Sequence, residues 1–142
     1  MSSRGGHAGI HFLYPSYFTW EADIQGNHYK CWTMSGNDVK ITCFIMAVAV
    51  SVDAFVEGII EQFGPRNCKI EKTSRKLGGK LYSGKRITVR IRQIGIVQDV
   101  YPIHGAPGAR FLVLQDNLCE PGESIEEAER TTKLLQESFR AD

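Results

Sequence analysis

Apolar and polar residues alternate with a period of two through most of this chain, and twice the period lengthens to that of a helix. Ile10 to Tyr14 reads as a short strand ended by Pro15. From Phe18 to Gln25, Phe18, Trp20, Ala22 and Ile24 alternate with Thr19, Glu21, Asp23 and Gln25, the pattern of a half-buried strand. Gly26-Asn27 turns the chain into Tyr29 to Met34, and Ser35-Gly36-Asn37-Asp38 turns it again into Val39 to Val48. Turn residues between β-rich runs predict a meander of antiparallel hairpins.

At Ser51 the spacing changes. Val52, Phe55, Val56, Ile59, Ile60 and Phe63 line one helical face, with Ser51 as N-cap, Asp53 in the first turn and Gly64-Pro65 as the stop. Gly58 inside this helix costs roughly 1 kcal/mol against Ala, which predicts close packing against a sheet. Cys68 to Lys76 then reads as a strand, Gly78-Gly79 as a turn, and Lys80 to Ile94 as one long strand broken at Gly95. Its Ile87, Val89 and Ile91 take one face, its Arg86, Thr88, Arg90 and Arg92 the other; Gly84 reads as a further break. Ile96 to Ile103 and Ala109 to Leu114 form a hairpin about His104-Gly105-Ala106-Pro107-Gly108. After Pro121-Gly122, the spacing Ser124 to Glu127 fits a capping box opening a helix from Ile125 to Phe139, with Ile125, Ala128, Leu135 and Phe139 facing inward.

Runs of strands punctuated by two amphipathic helices predict an α+β sandwich on a twisted, mainly antiparallel sheet that buries both apolar stripes. The chain has 142 residues, enough for one hydrophobic core. The expected organisation is a flexible segment over residues 1–9 and a single domain over 10–142. The longest apolar run, Cys43 to Val50, is far shorter than the about twenty residues a membrane-spanning helix needs. The first nine residues lack the apolar core of a secretory signal, so the chain as written reads as cytoplasmic, or exported if a leader has been removed.

The chemistry-bearing residues are dispersed. Cys31, Cys43, Cys68 and Cys119 form no C-x-x-C pair; they read as small buried hydrophobes or, for one pair, as a disulfide, Cys31 and Cys43 being on neighbouring strands. His7, His11, His28 and His104 fall in separate segments without metal-ligand spacing, and neither Gly-rich turn has phosphate-loop spacing. No metal, cofactor or nucleophilic catalytic set is expected, and the chain reads as a binding module rather than an enzyme.

Charge is distributed unevenly. Ten of the seventeen Lys and Arg residues lie between Arg66 and Arg92, with Glu71 as the one acid among them, while the stretch from Asp116 to Asp142 is mostly acidic. Arg86, Arg90 and Arg92 read either as a basic stripe for phosphate or an acidic protein, or as a solvated sheet edge guarded by charge. Tyr17 and Tyr29 belong to an aromatic group with Tyr14, Phe18, Trp20 and Trp32, which reads as interface anchors if exposed and as core if not.

Gly9-Ile10-His11-Phe12-Leu13-Tyr14-Pro15, the helix opening Ser51-Val52-Asp53-Ala54-Phe55, the turn Leu77-Gly78-Gly79-Lys80, the strand Arg110-Phe111-Leu112-Val113-Leu114 and the ending Leu134 to Arg140 follow one another in an order that resembles the PsbP-like superfamily, DcrB-like proteins included. The resemblance implies an αβα sandwich and a non-enzymatic role in binding or assembling proteins. It carries over no catalytic residues. The leading expectation is therefore a module that docks a protein, either a different one or a second copy as a homodimer. The alternatives are a nucleic-acid or acidic-ligand binder acting through Lys69 to Arg92, and an enzyme site assembled from Asp99, Tyr101 and His104.

Overall fold

A computed structural model describes the backbone of residues 2–7, 9–104, 109–117 and 123–142, and the side chains of all of these but 7 and 123–125. The order is β1 (Ser2–His7), β2 (Ile10–Pro15), β3 (Thr19–Asp23), β4 (Tyr29–Ser35), β5 (Val39–Met46), α1 (Val52–Phe63), a 3-10 turn (Pro65–Asn67), β6 (Cys68–Leu77), β7 (Lys80–Ile91), β8 (Ile94–Ile103), β9 (Arg110–Asn117), α2 (Glu123–Ser138) and β10 (Arg140–Ala141). The described residues thus form an α+β chain of two helices and ten antiparallel strands. A seven-stranded sheet runs β3-β4-β5-β9-β8-β7-β6, and a small sheet runs β1-β2-β10.

Alternation along the strands divides the core between the two faces of the large sheet. Ile87, Val89, Val100, Phe111 and Val113 point to one face and pack with Val56 of α1. Ile41, Cys43, Tyr82, Tyr101 and Leu112 point to the other and pack with Leu135 and Phe139 beside α2, and with Ile10, Phe12 and Tyr14 of β2. One helix therefore serves the first face, whereas a helix and the small sheet together serve the second. α1 begins as its sequence predicts: the Ser51 hydroxyl accepts the Ala54 N–H at 3.1 Å, and Gly64, at φ 92°, closes the helix through an N–H to Ile60 O.

The structure departs from the sequence expectations at several places. Ser2–His7, expected as a flexible segment, pair residue by residue with Ile10–Pro15. β3 is exposed on both sides, with Trp20 60% accessible, because it is the edge strand and neither helix reaches it. The long strand expected through Ile94 ends at Ile91; Arg92-Gln93 forms a two-residue turn with Arg92 at φ 56°, and Ile91 pairs with Ile94. Arg92 therefore leaves the strand face that Arg86 and Arg90 share. Gly84 and Gly95 lie inside strands and break neither; at Gly84 a Cβ would come within 1.9 Å of Val100 O, so the backbones approach too closely for any side chain.

Glu127, expected to close a capping box with Ser124, reaches across to the β4–β5 turn instead. Its Oε1 accepts the Asp38 and Val39 N–H groups at 2.8 and 3.0 Å, and its Oε2 accepts the Asn37 N–H at 3.0 Å and the Tyr17 hydroxyl. This ties α2 to the far end of the large sheet. Cys31, Cys43 and Cys68 are free thiols; Cys31 pairs with Phe44 and Cys43 with Trp32, which puts Cys31 and Cys43 on opposite faces of the sheet. Cys119, the 105–108 part of the late loop, Pro121-Gly122 and the side chains of Ser124 and Ile125 lie outside the described residues. No described helix is long and apolar enough to cross a membrane.

Candidate partner-binding surface

Beside α1, its face of the large sheet stays uncovered toward β4. An open groove of about 310 Å³ runs there, floored by Tyr29, Phe44 and Met46 and walled by Phe55, Gly58 and Ile59 of α1. Aromatic rings continue from the groove into the core: Tyr29 to Phe44 at 5.6 Å, Phe44 to Phe55 edge-on at 5.1 Å, and Phe55 stacked on Phe111 at 4.2 Å. The floor is thus held rigidly at one end while Tyr29 stays 39% exposed at the other. A Cβ built on Gly58 would meet nothing within 4 Å. The close packing that the sequence predicted for this glycine is absent; its missing side chain leaves the groove wall low.

The flanks of the groove are acidic. Glu57 and Glu61 are exposed on α1, which carries no Lys or Arg, whereas Asp53 lies on the far side of the helix beside Lys85. Across the floor, Asp23 pairs with Cys31, the floor-side neighbour of Phe44. Burial pushes the Cys31 thiol up, and the carboxylates of Asp23 and Glu21 push it further. An apolar strip bordered by carboxylates on both sides suits a segment with apolar residues at its centre and Lys or Arg at its margins.

Of the residues singled out in the sequence, Tyr29 lines this groove. Tyr17 lies elsewhere: its ring is 50% exposed and packs edge-on against Phe18 at 5.2 Å, while its hydroxyl donates to Glu127. Burial and the adjacent carboxylate push its phenol up to about 12. Arg86 and Arg90 share the α2 face of β7. Arg90 is exposed, whereas Arg86 grips Asp99 through Nε at 2.7 Å and Nη2 at 3.0 Å. The basic segment as a whole does not form one stripe. Arg75, Arg86 and Arg90 point to the α2 face, Lys72 and Lys85 oppose each other on the α1 face, and Lys85 reaches Asp53 at 4.0 Å.

Asp99 and Tyr101 are neighbours, with the Tyr101 hydroxyl 3.4 Å from Asp99 Oδ2, but His104 does not join them. It lies five residues along from Asp99, about 16 Å at the rise of a strand, and on the opposite parity of the chain. Asp99 is 3% exposed and also receives Arg75 Nη2 at 3.2 Å, so its carboxylate is committed to two guanidiniums. Sequence reasoning missed this charge cluster. The signal was present in the parity of β7 and β8, which puts Arg86 opposite Asp99 on a face otherwise destined for the core. The chain matches no protein-family model and no curated protein sequence.

Proposed function

We propose that this chain is a non-enzymatic protein-binding or assembly module, an αβα sandwich of the PsbP-like kind, whose α1-side groove docks an apolar, basic-flanked segment of a partner protein. The observation that carries this reading is Gly58. An interior helix glycine costs about 1 kcal/mol against Ala, and no contact among the described residues uses the space it leaves. A requirement for an open groove accounts for it. The aromatic floor supports the same reading, because Tyr and Phe provide large apolar contact area at low entropic cost, and a helix or strand laid into such a groove is a recurrent mode of recognition.

The test compares wild type with Gly58→Ala and Gly58→Leu as immobilised bait, washed in low and high salt. A partner retained through high salt by wild type and Gly58→Ala, and lost from Gly58→Leu, is the expected result. Equal capture by all three, or no protein captured by any, overturns the reading. A second copy of the chain as partner would register as a concentration-dependent dimer in sedimentation that Gly58→Leu abolishes.

One observation favours the alternative of an acidic ligand or nucleic acid. Lys72 and Lys85 border a shallow pocket of about 680 Å³, with Ser74, Ser83 and the start of α1 beside them. Phosphate contacts made there would be stripped by salt. Bound nucleic acid that elutes in the high-salt wash, indifferent to Gly58→Leu and abolished by Lys72→Ala, would support that alternative instead.

A further inference from the structure

Under the middle of α2, the large sheet carries charge where its other inward positions are apolar. α2 offers little to fill the gap there, its inward residues at this level being Ala128, Thr131 and Thr132, and a cavity of about 110 Å³ remains between helix and sheet. Its two ends differ. At the β6–β7 end, Arg75 and Arg86 share the carboxylate of Asp99, which also accepts from Tyr101, and Glu71 opposite Arg86 on β6 attracts it too; Nη1 of Arg86 makes no bond among the described residues. Arg75 also reaches the Thr132 hydroxyl at 3.4 Å.

At the β9 end, the Asp116 side chain forms no hydrogen bond or ion pair among the described residues. Burial raises its pKa, and the carboxylates of Asp38, Glu127 and Asp99 raise it further. Asp116 thus lacks a cation among the described residues. Between the ends, the Thr131 hydroxyl lines the cavity, 2% exposed and without a partner among the described residues. Burying a charge cluster and an unpartnered hydroxyl stabilises a fold less than apolar residues of the same shape would. Folding alone gives no reason for this arrangement.

We propose that the cavity binds a small zwitterion, with its oxyanion held by Arg75, Arg86 and the hydroxyls of Thr131 and Thr132, and its ammonium group held by Asp116. The volume, that of roughly four water molecules, admits an amino acid of the smallest size and little more. Asp116 stands two strands from Arg86 and two residues along from the position in line with it, about 12 Å between backbones, so the charge separation of the ligand is a variable the test has to scan. The site lies on the opposite face from the groove and does not depend on its reading.

The experiment is an NMR titration of the whole chain with glycine, β-alanine and γ-aminobutyrate, and with acetate and methylammonium as single-charge controls. One zwitterion should give saturable shifts at the Asp99, Asp116 and Thr131 amides and bind at least tenfold more tightly than either control. Asp116→Asn should weaken it at least tenfold while leaving acetate unchanged. Thr131→Val, which keeps the shape and removes the unpartnered hydroxyl, should melt no lower than wild type and weaken both zwitterion and acetate. Acetate binding as tightly as every zwitterion, saturable shifts with none of the probes, or an Asp116→Asn variant that binds as wild type overturns the proposal.

Discussion

Replacing Gly58 by Ala should stabilise the protein. The residue lies mid-helix in α1 with helical backbone, and the added Cβ projects into open space, meeting nothing within 4 Å. No steric term opposes the gain in helix propensity, which is about 1 kcal/mol. Unfolding entropy is about 2.1 cal/mol/K per residue near the melting temperature, or about 0.3 kcal/mol/K for 142 residues. The melting temperature should therefore rise by about 3 °C, with a matching increase in urea midpoint at unchanged slope. Leu has nearly the propensity of Ala, so Gly58→Leu should keep most of this gain while filling the groove. Gly84→Ala is the contrasting control: its Cβ would lie 1.9 Å from Val100 O, and the strands would have to part. A Gly58→Ala variant that melts at or below the wild-type temperature would refute the claim that the wall of the groove is open, and with it the explanation for a glycine at this position.

Asp99→Asn should cost about 3 kcal/mol, measured by urea denaturation, because it leaves the Arg75 and Arg86 guanidiniums together in a half-buried site without their anion. Glu127 is held charged: burial raises its pKa, but the Tyr17 hydroxyl and the Asp38, Asn37 and Val39 N–H groups outweigh this and leave it below the ordinary carboxylate value of 4.5. Its contribution is thus present above that value and lost as pH falls through the lower folded one; Glu127→Gln should destabilise at neutral pH by about 2 kcal/mol and flatten the acid limb of stability against pH. Tyr17, raised from 10.0 to about 12, works in the opposite sense: its contribution is complete below pH 10.0 and lost as pH climbs toward 12. Burial raises Tyr82 and Tyr101 as well, so alkaline titration of phenolate absorbance should show one fewer late tyrosine in Tyr17→Phe than in wild type.

Most strands and both helices were legible because each is governed by a local period, and α1 carried its own start and stop in Ser51 and Gly64-Pro65. What escaped depends on pairing or on unusual backbone. The Arg92-Gln93 turn has no Gly, Asn or Asp to announce its φ of 56°. β1 is a Gly-containing run, SSRGGH, that becomes a strand only because β2 offers it an edge. Glu127 matched a capping box in sequence, yet three backbone N–H groups and a phenol 88 to 110 residues away are the stronger claim on its carboxylate. The groove was half visible: Tyr29 could be named from its neighbours in sequence, but that α1 would stop short of it is a matter of widths, which no period reports.

Those widths decide where a partner has room. Seven strands at about 4.8 Å spacing make a sheet about 29 Å across, whereas a helix with its side chains covers about 10 Å. On the face that buries Leu135 and Phe139, α2 and the β1-β2-β10 sheet share the covering. On the other face α1 is alone over the strands that carry Ile87, Val89 and Val100, and the sheet beyond it is left to itself. There the outward side chains of β4 and β5 are of two kinds. Thr33 and Thr42, paired with each other at 3.2 Å, suit exposure to water; Tyr29, Phe44 and Met46, next to α1, do not. A chain meant to leave this strip bare would gain by extending the threonines' polarity to it, and a chain meant to cover it for itself would not keep a glycine on the facing wall. On the proposed reading, the apolar strip and the low wall at Gly58 belong together because the element that covers them comes from another molecule.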